Sequence, residues 1–70
     1  MKEDIKRILR KNYVKDIHWS KLSDDSFMFK FLCNSDRISL ILDEILKEFP
    51  NYKVESEIVA INTYKVMVVK

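Results

Sequence analysis

The chain has 70 residues, 47% of them apolar, a formal net charge of +2, one proline, one cysteine and no glycine. That is too apolar and too weakly charged for disorder, too short for more than one domain, here taken as residues 1–70, and without the roughly 18-residue apolar run of a membrane span. Glycine supplies positive φ and close backbone approach, so its absence excludes the phosphate-cradling loop, the dinucleotide fingerprint and the usual nucleophile elbow.

Residues 3–13 read as an amphipathic helix. Ile5, Ile8 and Leu9 recur at i, i+3, i+4, with Met1 and Tyr13 at the edges of the stripe. Lys6, Arg7, Arg10 and Lys11 fall on the opposite arc. Residues 16–22 read as a strand with Ile17 and Trp19 on one side, and Ser23–Ser26 as a turn. Residues 27–33 are the clearest strand, with Phe27, Phe29, Phe31 and Cys33 sharing one face by the two-residue period. Met28, Lys30 and Leu32 take the other.

Asn34-Ser35-Asp36 opens the second helix, with Ser35 the expected N-cap. Ile38, Ile41, Leu42, Ile45, Leu46 and Phe49 then form its apolar stripe, Leu40 stands on the polar arc, and Pro50 ends it. Residues 52–60 alternate as a strand that places Tyr52, Val54, Ser56, Ile58 and Ala60 on one face. A turn follows, and residues 64–69 form the last strand. A three-residue loop, Ile61–Thr63 with Asn62 left-handed, would put Tyr64, Val66 and Val68 with Ile58, leaving Met67 and Val69 opposite. Lack of glycine disfavours the tighter turn at Asn62-Thr63.

The order is α-β-β-α-β-β. Strands 27–33 and 64–69 are apolar on both faces, as interior strands are; the other two carry charges suited to edges. The sheet order third, fourth, second, first satisfies all four. This is a two-layer α+β sandwich with both helices on one face of a four-stranded sheet, a circularly permuted ferredoxin-like plan. The other face is left open.

The candidate chemistry is thin. Asp16, His18 and Ser20 are spaced to share a strand face, but a triad also requires oxyanion donors and a pocket. Cys33 continues the phenylalanine face and reads as a buried structural thiol. One cysteine and one histidine fifteen positions apart do not make a zinc site. The carboxylate pairs Asp24-Asp25, Asp43-Glu44 and Glu55/Glu57 read as solvated charge. No catalytic residue, metal or cofactor is expected.

Charge is unevenly spread: +4 over residues 1–15, −4 over 16–57 and +2 over 58–70. Lys2–Lys6, Lys6–Arg10, Arg7–Lys11 and Lys11–Lys15 are like-charge i, i+4 pairs, each costing a few tenths of a kcal/mol (~0.2–0.5). The basic helix face therefore suggests an acidic partner or a phosphate backbone; the competing reading is neutralisation by Asp43, Glu44 and Glu48 of the second helix. The expectation is a small non-enzymatic regulator or inhibitor that docks on a protein, with Met28, Lys30, Leu32 and Met67 of the open sheet face and Lys6, Arg7, Arg10 and Lys11 of the helix as contacts. A homodimer is a second use of the same face. The alternative is a nucleic-acid-binding regulator using the helix. No membrane partner is expected. The lone cysteine, and the lack of an uninterrupted apolar leader, point to a reducing cytoplasmic setting, and the lysine-, isoleucine- and asparagine-rich composition to an AT-rich phage or mobile element.

Overall fold

A computed structural model describes residues 2–70; Met1, expected at the edge of the first stripe, lies outside the described residues. The first helix, α1 (Lys2–Lys11), buries Ile5, Ile8 and Leu9. Glu3 and Asp4 in its first turn, and Arg10 and Lys11 in its last, complement the helix dipole. It ends two residues earlier than its sequence suggests. Tyr13 turns left-handed (φ 60°), its N–H bonding Arg10 O at 3.1 Å while the Val14 N–H bonds Leu9 O at 3.2 Å. These are the two bonds of a Schellman cap, in which glycine is the usual left-handed residue. Tyr13 is consequently 77% exposed instead of edging the buried stripe.

Strands β1 (Lys15–Ser23) and β2 (Ser26–Leu32) form an antiparallel hairpin with Trp19 opposite Phe29. Helix α2 (Ile38–Glu48) buries Ile41 and Ile45. Ser35 is not its N-cap. An extra turn, closed by the Arg37 N–H on Asn34 O at 3.0 Å, precedes the helix and puts Arg37 at the cap with no side-chain bond. Ser35 is thereby two residues upstream of the cap position itself, too far back to serve the first-turn amides of the helix. Leu46, expected in the buried stripe, is 43% exposed.

Strands β3 (Lys53–Ala60) and β4 (Thr63–Val69) form the second hairpin. Its turn is Ile61-Asn62, one residue shorter than expected, closed by Ala60 opposite Thr63. Asn62 is left-handed (φ 56°) as expected, and a register shift between Ile58 and Ala60 supplies the extra residue. The facing follows: Tyr64, Val66 and Val68 point into the core. Ile58 shares that face, opposite Tyr64, but remains 71% exposed because neither helix covers it.

The sheet order is β1-β2-β4-β3, antiparallel throughout, so the two doubly apolar strands are interior. The fold is α+β, two helices on a four-stranded antiparallel sheet. One cluster joins Ile5, Ile8 and Leu9 of α1 and Ile41 and Ile45 of α2 to Phe29, Phe31, Tyr64, Val66 and Val68 of the sheet. Both helices therefore lie on the same face. Rings run across it in sequence, Trp19 to Phe29 at 4.8 Å, Phe29 to Phe31 at 5.9 Å and Phe31 to Tyr64 at 6.4 Å between centroids. Each fully buried large side chain contributes roughly 1.5–3 kcal/mol.

Candidate docking face

The period-two alternation of β2 and β4 that buries Phe29 and Val66 turns Met28, Lys30, Leu32, Lys65, Met67 and Val69 to the other face. Register then aligns these side chains in rows across the sheet. In one row Ser20, Met28, Met67 and Glu55 stand opposite each other in turn. In the next, two residues along, His18, Lys30, Lys65 and Glu57 do the same. Lys65 Nζ lies 3.6 Å from Glu57 Oε2. Met28, Leu32, Met67 and Val69 are half-buried and Lys30 is exposed. Among the described residues no helix or loop covers this face: the core cluster and both helices belong to the other.

A shallow hollow of about 320 Å³ opens between the rows, lined by His18, Ser20, Met28, Phe29, Lys30 and Lys65. The four expected sheet residues Met28, Lys30, Leu32 and Met67 thus share one surface, and His18, Ser20 and Lys65 join them although sequence reasoning did not include them. Their period-two placement was visible in the sequence; which rows meet depends on the register, shifted by irregularities in β1 and at the end of β3.

The four helix residues are elsewhere, on the helical side, and their charge is largely engaged. Arg7 donates to Glu48 at 3.1 Å and lies 3.5 Å from Asp4. Lys11 Nζ sits 2.7 Å from Glu44 Oε2, and Lys6 is 4.0 Å from Glu3. Glu44 also accepts from Asn12 Nδ2 at 3.2 Å, and the hydrogen bonds from Lys11 and then Asn12 hold its carboxyl below the usual range. The same Asn12 amide donates to Ile8 O at 2.8 Å, so a buried asparagine ties the end of α1 to α2. Among the described residues Arg10 makes no ion pair.

The catalytic alternatives do not assemble. His18 does line the hollow, with Ser20, but among the described residues neither Ser20 nor Asp16 is hydrogen-bonded to it. Asp16 is left-handed (φ 53°) inside the register shift that separates Lys15 from His18, which takes it out of phase with His18 and Ser20. Cys33 is buried at the end of β2, its N–H bonded to Asn62 O at 3.0 Å. Burial first, and Asp36 second, push its thiol pKa up, the reverse of what a nucleophilic cysteine requires. No group of three or more metal-ligating side chains occurs among the described residues, and no helix there is long and apolar enough to cross a membrane. Comparison with protein families, characterised proteins and solved structures finds no match to this chain.

Proposed function

We propose that this protein is a non-enzymatic docking module, a regulator or inhibitor that binds a protein partner through the open face of its sheet. One observation carries the reading: Met28 stands directly opposite Met67 on two interior strands, half-exposed, on a face that no described element covers. Methionine is an adaptable contact residue, and apolar side chains rimmed by charge are the usual make-up of an interaction surface. The rim here is Lys30, Lys65, Glu55 and Glu57. Its mixed charge favours a protein over a uniformly anionic nucleic acid. The nucleic-acid alternative rests on the helix cations, of which Arg7 and Lys11 are engaged by Glu48 and Glu44. A phage or mobile-element origin suits the composition.

The test is substitution on that face alone. Met28→Asp and Leu32→Asp retain the fold, seen as an unchanged circular dichroism spectrum and cooperative melting, and lose partner binding by about thirtyfold or more, the range of a central contact worth ≥ 2 kcal/mol. Full binding by both folded variants would remove the sheet face from the function.

A further inference from the structure

The second row across the sheet contains a feature that folding alone does not account for. Lys30 and Lys65 are directly opposite each other on adjacent interior strands, and His18 is opposite Lys30 on the far side. Like charges directly opposite on a sheet repel. Lys65 is relieved by Glu57 at 3.6 Å, but Lys30 makes no ion pair among the described residues. Lys30, Lys65 and Glu57 together leave one lysine charge of the row without a carboxylate partner. The row borders the hollow of about 320 Å³, which Met28 and Phe29 help to line. The same lining carries two ammonium groups, a serine hydroxyl and an imidazole N–H, all of them able to donate hydrogen bonds.

We infer that the hollow is the seat of a carboxylate, an aspartate or glutamate side chain presented by an apolar segment of the protein partner. This rests on the docking reading and names the chemistry it recognises. A single carboxylate matches the single uncompensated charge. Glu57 already shows the preference, since it is a carboxylate that reaches Lys65 from the adjacent strand. A polyanion fits less well: a phosphate chain lying along the sheet would meet Glu57 and Glu55 on β3. The methionine pair in the neighbouring row receives the aliphatic residues that flank the acid.

The probes are a short blocked peptide of alternating leucine and glutamate, its leucine–glutamine counterpart, and inorganic phosphate, each titrated into isotope-labelled protein and followed by amide NMR shifts. The glutamate peptide moves the signals of residues 18, 30 and 65 saturably. The glutamine peptide binds at least tenfold more weakly, and Lys30→Glu and Lys30→Gln, both at an exposed position and both still folded, abolish that difference. Equal binding of the two peptides would overturn the carboxylate seat and leave the docking face standing. Phosphate competing at comparable affinity would overturn it in favour of a phosphoanion. Failure of both peptides to move any open-face signal would overturn the seat and the docking reading together. A dimer in light scattering that Lys30→Glu dissociates would assign the acid to Glu55 or Glu57 of a second copy, and so overturn a foreign partner.

Discussion

Among the described residues, three side chains stand where glycine ordinarily would. Tyr13, Asp16 and Asn62 have positive φ. Asparagine and aspartate tolerate the left-handed region through local hydrogen bonding, whereas a bulky tyrosine there is strained by about 1 kcal/mol or more. Its ring is mostly exposed, with the Arg37 guanidinium 5.8 Å from the centroid as its compensation. Tyr13→Gly therefore stabilises the protein by about 0.5–1 kcal/mol, a melting rise of roughly 2–8 °C for a chain this small. Calorimetry checks it; a fall in melting temperature would mean the ring contact outweighs the strain. The absence of glycine from the sequence announced that turns would rest on other residues. It did not announce that tyrosine would be one, because tyrosine has no preference for the left-handed region and the two bonds to Leu9 O and Arg10 O hold it there.

At the scale of elements, the joint between α1 and α2 is polar and local. Asn12 spans Ile8 O and Glu44, and Lys11 closes on the same carboxylate. Because the folded protein holds the Glu44 carboxyl below its ordinary range, ionised Glu44 stabilises the fold above the usual carboxylate pKa, and this contribution is lost as pH falls through the lowered folded value. Glu44→Gln keeps an acceptor for Asn12 but loses the attraction of Lys11. Denaturant titrations should show the variant about 1 kcal/mol less stable near neutrality, with the gap closing on acidification. A gap that does not change with pH would assign the effect to packing. The element order, the strand order and the inward facing of Val66 were all legible, since each follows from local apolar periodicity and from which strands are greasy on both faces. The start of α2 was not. Ser35 is chemically a good cap, but the turn after Asn34 displaces it, and the run Asn34-Ser35-Asp36 suits a turn and a cap equally well. Nor was the exposure of Ile58 and Leu46 legible, because periodicity says which face a side chain takes and not how far the opposing layer extends over it.

For the whole molecule, the sheet has two unlike faces. One is filled by two helices; the other shows a methionine pair, a lysine pair and two glutamates in register. Those residues were visible singly as the off-phase positions of two strongly apolar strands. Their assembly into rows was not, because it depends on shifts within β1 and beside Ile61-Asn62 that period counting does not see. The helix residues Lys6, Arg7, Arg10 and Lys11 lie in the opposite layer, so they and the sheet face do not form one continuous contact. The central claim is that the bare side of the sheet is where this molecule meets its partner. It is tested most directly by placing a photoreactive benzophenone side chain at position 28, or at the exposed helical position 40, and irradiating cells that make the protein. A discrete protein adduct from position 28 and none from position 40 is the expected result; an adduct from position 40 alone would contradict it.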